Sequence, residues 1–242
     1  MKFPQTIALA LALSASLPAP AAAEVLGGFT GRTLDIVGNQ GTAVEAYYKS
    51  FEGDGQGIRL SHRYNANFLA YANFTKLSFD PDLGNSDNAD GDAFGAGLMY
   101  FMPDLLDGYD SAINLSYHSG DSASDNVEFQ IENIAIAGAK ADTASTEITM
   151  ELIISSRTPI LKNGLKWYAG AGVHRIENDV KITSPNGQTL VIDNQPLDIS
   201  VSDTEFSIVS GVVLPTSFGH VYAAAEHIDD NLFGIGLRYN IR

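Results

Sequence analysis

Three observations predict that this chain is all-β and closes into an antiparallel up-and-down transmembrane β-barrel of about ten strands. The sequence is a succession of short alternating segments and turn signals, with no amphipathic, well-capped helix. Its closing stretch puts Phe233, Ile235, Leu237, Tyr239 and Ile241 on one side of a strand and Gly234, Gly236, Arg238 and Asn240 on the other. Short connections alternate along the chain with others that are longer or more acidic. A soluble strand hides its large apolar side chains in a core. A membrane strand shows them to lipid and turns its small and polar ones to a lumen.

The N-terminus reads as an export leader, residues 1–23. Lys2 supplies the positive charge, Thr6 to Leu17 the apolar run, and Ala21-Ala22-Ala23 a small-residue cleavage site before Glu24. The run is too short for a membrane anchor and is followed by Pro18 and Pro20. Residues 24–41 form a glycine-rich lead-in, either periplasmic or tucked into the lumen, and residues 42–242 form the barrel domain. No other segment approaches the roughly 20 consecutive apolar residues of a spanning helix. Residence in a membrane therefore requires a closed barrel, the other structure that satisfies its backbone there.

The chain has no cysteine, which removes disulfide scaffolds and thiol chemistry from an exported protein. Lys and Arg number 14 against 29 Asp and Glu, a net charge of −15 that excludes nucleic acid as a partner. The acids crowd between strands: Asp80, Asp82, Asp87, Asp90 and Asp92; Asp121 and Asp125; Asp193, Asp198 and Asp203; Asp229 and Asp230. They read as solvated loops. On a cell surface the same acids could be bridged through divalent cations to lipopolysaccharide phosphates.

The first strand is Ala43 to Phe51, with Val44, Ala46 and Tyr48 opposing Glu45, Tyr47 and Lys49. The second, Gly57 to Tyr64, sets Ile58 and Leu60 against Arg59, Ser61 and Arg63. Asn65-Ala66-Asn67 turns into Phe68 to Phe79, whose Phe68, Ala70, Ala72 and Phe74 face outward and Asn73 and Thr75 inward. Asp92 to Met102 opposes Phe94, Ala96, Leu98 and Tyr100 to Gly95 and Gly97. Asp110 to His118 opposes Ile113, Leu115 and Tyr117 to Asn114, Ser116 and His118. A long polar connection from Ser119 to Ala144 follows, holding an alternating stretch from Val127 to Ala137.

Ser145 to Arg157 sets Ile148, Met150, Leu152 and Ile154 against Thr149, Glu151, Ser155 and Arg157. The next strand begins at Leu165 and opposes Trp167, Ala169, Ala171 and Val173 to Lys166, Tyr168, Gly170, Gly172 and His174. It runs past Glu177 toward Pro185-Asn186-Gly187, a hairpin signal flanked by Val180 and Ile182 and by Leu190 and Ile192. Thr204 to Leu214, Gly219 to Ile228 and the closing stretch complete ten strands, or eight if the first pair lies outside the wall. Most match the roughly 9 to 11 residues a tilted strand needs to cross a bilayer. Trp167, Tyr100 and Tyr239 sit where an interfacial aromatic girdle would place them.

The inward positions collect Glu45, Lys49, Arg59, Arg63, Glu151, Arg157, Lys166, Glu226 and Arg238, interleaved with glycines. In a soluble sandwich these would be solvent faces. In a narrow barrel they share a lumen, where unpaired charge is costly, so Glu–Arg and Glu–Lys pairs are expected. Side chains leave little space in a barrel of eight to ten strands. The expectation is a lumen that is plugged or passes only small ions.

The ending Gly234-Ile235-Gly236-Leu237-Arg238-Tyr239-Asn240-Ile241 resembles the C-terminal signal that the outer-membrane barrel assembly machinery reads, with Gly236, Tyr239 and Ile241 matching its glycine and apolar or aromatic positions. The chain departs from that pattern by ending in Arg242 instead of phenylalanine. Val44-Glu45-Ala46-Tyr47 followed by an acidic glycine-rich turn, and the Arg63-Tyr64-Asn65 strand end, are similar to the porin-family small outer-membrane β-barrel proteins of Gram-negative bacteria. The resemblance implies residence in the cell outer membrane, with Phe233, Ile235, Leu237, Tyr239 and Ile241 against lipid and lipopolysaccharide.

No nucleophile elbow, zinc-protease helix, phosphate loop or dinucleotide fingerprint is present. An omptin-like protease would carry an Asp-x-His pair, which is missing; His227-Ile228-Asp229 runs in reverse. His118, His174 and His227 fall near the outer ends of their strands and read as lumen or rim residues. A lipid A modifying enzyme needs a serine and histidine on one face with an acid behind. Ser61 and His62 face opposite sides, while Ser116 and His118 share a face as many inward pairs do. Asp87-Asn88-Ala89-Asp90-Gly91-Asp92 lacks the closing glutamate of a calcium loop. The sequence thus points to a non-enzymatic barrel with a structural or small-solute pore role and no cofactor or metal. The alternatives are an outer-membrane hydrolase and a soluble periplasmic β-barrel binder.

Overall fold

The structure is a computed structural model that describes residues 41–50, 53–79, 89–103, 105–131, 134–192, 195–228 and 231–241. The leader, the lead-in 24–40 and the acidic stretch 80–88, with Asp80, Asp82 and Asp87, lie outside these residues. In chain order the strands are β1 (Gly41–Ser50), β2 (Gly53–Arg63), β3 (Phe68–Phe79), β4 (Ala89–Phe101), β5 (Tyr109–Ile131) and β6 (Ile134–Ser156). There follow β7 (Lys166–Thr183), β8 (Val191–Ile192), β9 (Gln195–Pro196), β10 (Asp198–Pro215), β11 (Gly219–His227) and β12 (Asn231–Ile241).

Ten of these close into a barrel, every pair antiparallel, with β1 sealing against β12; β8 and β9 pair with each other in the connection between β7 and β10. Closure removes the edges along the barrel wall, while β5 beyond Ala123 and β6 before Lys140 pair only with each other. The faces follow the period-2 pattern. Val44, Ile58, Phe68, Leu98, Ile113, Met150, Ile208 and Leu237 are exposed on the outer face, and Phe94 and Ile235 are 64% and 60% accessible. Glu45, Arg59, Asn73, Glu151 and His174 are buried inside. The barrel is thus apolar outside and polar within, the reverse of a soluble protein.

The wall is not of even height. β5 and β6 are 23 residues long and β7 and β10 are 18, against 9 to 11 in β1, β2, β11 and β12. The segment expected as a long polar connection from Ser119 to Ala144 instead continues β5 and β6 as a projecting hairpin. A bulge between Ser124 and Val127, with Asn126 at φ 58°, shifts the alternation there. After it Val127 faces inward, where the unbroken pattern would have turned it out.

This projection has its own small core. Val127, Ala139, Ala141, Ile182, Leu197 and Ile199 are buried together, with Val180, Leu190 and Val201 packed against them. The connection after β7 turns at Pro185-Asn186-Gly187, Gly187 taking φ 76°. It then folds back: the Ile182 N–H donates to Leu197 O at 3.2 Å and the Leu197 N–H to Leu190 O at 2.8 Å.

On the outer face the apolar band ends abruptly at this projecting end. Lys76 on β3 stands beside Asp92 on β4, and Asp92 beside Asp121 on β5. Asp142 stands beside Lys181, and Lys181 beside Asp198. Asp90 and Asp92, weighed above as part of a calcium loop, are exposed on strand β4.

Inside, the narrow bore is filled by a repeated device. Tyr47 is registered opposite Gly57, Tyr71 opposite Gly97, Tyr168 opposite Gly211 and Tyr222 opposite Gly236. In each pair a Cβ on the glycine would overlap the phenol ring. His118 over Gly95, Lys49 over Gly55 and Glu151 over Gly172 repeat the arrangement. The missing side chain lets the large one lie flat across its neighbour and reach the strand beyond.

Candidate functional site

The chemistry of this protein is concentrated in a girdle of buried polar side chains across the middle of the lumen. Each is held by the same logic: an inward position on a hydrogen-bonded strand, often beside a glycine over which it can lie. On β1, Glu45 Oε1 accepts from the Tyr222 hydroxyl at 2.7 Å and lies 4.0 Å from Arg59 Nη1. The Arg59 guanidinium stacks on the Tyr71 ring at 4.5 Å, a favourable cation–π contact when desolvated. The Tyr71 hydroxyl donates to Asn114 Oδ1 at 2.9 Å, and Asn114 Nδ2 donates to Glu151 Oε2 at 3.0 Å. From Glu151 the chain of contacts reaches His174 and Glu226, and β11 carries both Glu226 and Tyr222. These side chains therefore come into the bore from β1, β2, β3, β5, β6, β7 and β11.

A second branch joins Tyr47, which shares a hydrogen bond of 2.6 Å with Thr75 and accepts from Asn73 Nδ2 at 3.4 Å. Asn73 Oδ1 accepts from His118 Nε2 at 3.2 Å. β4 and β12 contribute glycines where their neighbours contribute side chains, so the girdle bridges them.

His174 is the densest node. Its Nδ1 lies 2.6 Å from Glu147 Oε1, and Thr149 Oγ1 donates to the same carboxylate oxygen at 2.8 Å. Its Nε2 lies 2.9 Å from Ser207 Oγ, 3.6 Å from Glu226 Oε1 and 4.0 Å from Glu151 Oε1. All six residues are buried. Glu147, His174 and Ser207 so make a carboxylate–imidazole–hydroxyl series of the kind that activates a nucleophile. What surrounds it opposes that use: Ser207 is fully buried, and two more carboxylates crowd Nε2, where a developing oxyanion would be repelled.

Of the charges expected in the lumen, Glu45, Lys49, Arg59, Arg63, Glu151 and Glu226 are buried. Arg63 lies at the short-turn end, over the Phe101 ring at 4.6 Å, its Nε donating to Asn65 O at 3.0 Å. Lys166 and Arg238 are half-buried at the same end. Arg157 is not in the bore: it follows the last residue of β6, its side chain is 38% exposed, and it pairs with Asp110 at 2.9 Å on the rim. Beside the Glu45–Arg59 approach, tyrosine and asparagine carry part of the bridging, as in Tyr222–Glu45 and Asn114–Glu151. His118 and His174 lie deep in the bore and not near the strand ends, because β5 and β7 continue far past them. His227 is exposed at the end of β11. Phe233, Ile235, Leu237, Tyr239 and Ile241 are all exposed on the outer face of β12.

Glu147, Ser207, Tyr222 and Tyr71 went unnamed in the sequence. Glu147 was within reach, since it shares its strand face with Glu151. Ser207 and Tyr222 become visible only with the register that brings β7, β10 and β11 together.

No protein-family model matches the chain, and no curated protein matches it. Solved structures do match its fold. The translocator domain of the autotransporter NalP from Neisseria meningitidis aligns at a TM-score of 0.56 with 11% identity, covering 98% of each chain. The beta domain of the Bordetella autotransporter BrkA aligns at a TM-score of 0.47 with 12% identity, over 84% of this chain and 100% of that one. A KdgM porin aligns at 0.35 with 8% identity, over 83% and 99%. At such identities the likeness is one of fold: the chain has the outer-membrane β-barrel architecture.

Proposed function

We propose that the chain is an integral outer-membrane protein whose lumen is closed by its own side chains, serving the envelope as a wall element that passes small ions at most. The girdle of Tyr222, Glu45, Arg59, Tyr71, Asn114, Glu151, His174 and Glu226 carries this reading, since it fills the bore with contacting side chains from seven of the ten strands. Side chains of that size fill a barrel of about this strand number. The export leader, the apolar belt and the ending around Gly236, Tyr239 and Ile241 support delivery to the outer membrane through the barrel assembly machinery. The belt meets lipid, and the row of Asp92, Asp121, Asp142 and Asp198 above it meets lipopolysaccharide headgroups through divalent cations.

Planar-bilayer conductance of the refolded protein tests the closed bore; steps as large as those of an open porin would overturn it. Fractionation tests the compartment. A heat-modifiable band in the outer-membrane fraction is expected, and recovery from an osmotic-shock supernatant without detergent would favour the soluble binder instead.

The Glu147–His174–Ser207 series is the observation that favours a hydrolase. Burial of Ser207 and the flanking Glu151 and Glu226 count against it. Folded protein treated with a fluorophosphonate probe should stay unlabelled, and labelling lost in a Ser207→Ala variant would revive the enzymatic reading.

A further inference from the structure

We propose that the lumen holds a site for a divalent transition-metal ion, Zn2+ by its donor chemistry, formed by His174 Nε2 and the carboxylates of Glu151 and Glu226. One donor atom from each of these three residues lies within 4.8 Å of the other two, and all three residues are buried. Nε2 is 3.6 Å from the Glu226 oxygen and 4.0 Å from the Glu151 oxygen. Two ligands held at roughly 2.0–2.2 Å around a tetrahedral ion stand about 3.4 Å apart. Closing the widest pair to that separation takes at most about 1.4 Å, shared between two side chains. The ligands come from β6, β7 and β11, three hydrogen-bonded walls that cannot drift apart.

A further observation points to a cation, the orientation of the imidazole. Nδ1 faces Glu147 at 2.6 Å, where a carboxylate oxygen accepts, so the neutral ring carries its proton on Nδ1 and turns Nε2 toward Glu151 and Glu226. A carboxylate behind the ligating histidine is the usual outer support of a zinc-bound imidazole. Ser207 Oγ, 2.9 Å from Nε2, is a further oxygen beside the same nitrogen.

A nitrogen ligand with two carboxylates suits zinc; calcium takes six to eight oxygens and magnesium keeps most of its waters. The inference needs only the closed barrel, so it stands apart from compartment and conductance.

The test uses the full mature chain folded in detergent micelles, folding being read as the gel shift between heated and unheated samples. The protein is incubated with Zn2+, desalted and assayed for metal. One zinc per barrel is expected. His174→Gln and Glu226→Gln should each weaken binding at least 100-fold. Glu147→Gln leaves the three ligands in place and should weaken it 10- to 100-fold, as loss of an outer-shell partner does. The exterior double variant Asp121→Asn, Asp142→Asn should bind as the wild type does. Co2+-loaded wild type should show one paramagnetically shifted imidazole N–H resonance, a readout that does not depend on any variant folding. Metal-free wild type after desalting, unchanged affinity in folded His174→Gln, loss of binding in the exterior variant, absence of the shifted resonance, or Ca2+ and Mg2+ competing as equals would each overturn the site.

Discussion

Tyr222 lies across Gly236, its registered partner on β12, and its hydroxyl donates to Glu45 Oε1 at 2.7 Å on β1, the strand beyond. One side chain thus ties together the last two strands and the first, at the seam where the barrel closes. The tie exists because residue 236 has no Cβ.

Gly236→Val should therefore act at the seam. Its side chain would overlap the Tyr222 ring, push it off the wall and break the bond to buried Glu45. Overpacking of this kind costs about 1–3 kcal/mol, and a buried carboxylate that loses a partner adds about 1–3 kcal/mol. Tyr222→Phe isolates the second part, because the ring stays over the glycine. Urea titration followed by the gel shift should rank the variants Gly236→Val below Tyr222→Phe below wild type. Equal midpoints for all three would remove the tie from the account of closure.

The lipid-facing assignment makes a second prediction. Ile235 and Phe94 are among the most exposed apolar residues, within the band. Asp121 stands on the same outer face, level with Asp92 and beyond the band. Ile235→Arg should lower the stability of protein folded in phosphatidylcholine vesicles by about 2–4 kcal/mol, the cost of a cation at the bilayer midplane. Asp121→Lys should change it little, since that position already carries charge in contact with water. If both substitutions cost the same, the apolar belt is not where the bilayer sits.

Much of this architecture was legible because strand pairing preserves period-2 alternation: wherever the ladder is regular, as from Val44 to Lys49 or from Phe94 to Tyr100, the sequence names each face. Legibility stopped where alternation was interrupted or ambiguous. The bulge before Val127 reversed the faces of β5, and the small polar residues of 119–126 resemble a loop until they are paired with β6. The inward charges on single strands could be read, but their partners could not. Partners depend on relative strand height, which is set by pairing across the whole sheet; Ser207 meets His174 because Phe206 is registered with Val173 and Ser207 with Gly172. Glycines were legible as inward positions, whereas their role under Tyr47, Tyr71, Tyr168 and Tyr222 required the register.

Arg59 and Tyr71 make a third prediction, about the bore. The guanidinium sits 4.5 Å over the ring and 4.0 Å from Glu45, filling the side of the lumen under β2 and β3. Removing both side chains opens space lined by Glu45, Asn114 and Glu151. The double variant Arg59→Ala, Tyr71→Ala should raise single-channel conductance several-fold and make it cation-selective, since it deletes a buried positive charge. It should also lower stability by about 3–5 kcal/mol, as breaking a buried ion pair does. An unchanged conductance trace in a folded double variant would mean that another part of the lumen sets the constriction.

The projecting hairpin carries an ion pair whose pH behaviour can be stated. Lys140 Nζ lies 2.6 Å from Asp125 Oδ1, and that carboxylate raises the lysine pKa above its ordinary value. A cation whose pKa is raised on folding contributes fully below its unfolded pKa and loses the contribution as pH rises through the folded one. The lysine's contribution is therefore constant through neutral pH and fades in alkali. It is also open to solvent and screened by salt. Lys140→Ala should leave the unfolding midpoint unmoved between pH 5 and 8; a shift there would show that the pair is coupled to something buried.

Leu197 offers the sharpest test of the projection's own core. It is buried with Val127, Ala139, Ala141, Ile182 and Ile199, and its backbone bonds to Ile182 and Leu190 hold the connection after β7 against the sheet. That small core is separate from the lumen girdle, and the strands beneath it are paired along their full length. Leu197→Asp puts a charge into the apolar cluster without touching any barrel pair. The cost, about 2–5 kcal/mol for removing a buried leucine and more for the charge, falls on the connection alone, since local opening is cheaper than unfolding the wall. Limited proteolysis should therefore cut the variant within residues 184–197 much faster than the wild type, while the heat-modifiable gel shift persists. Loss of the gel shift together with the cut would show that the projection and the barrel fold as one cooperative unit.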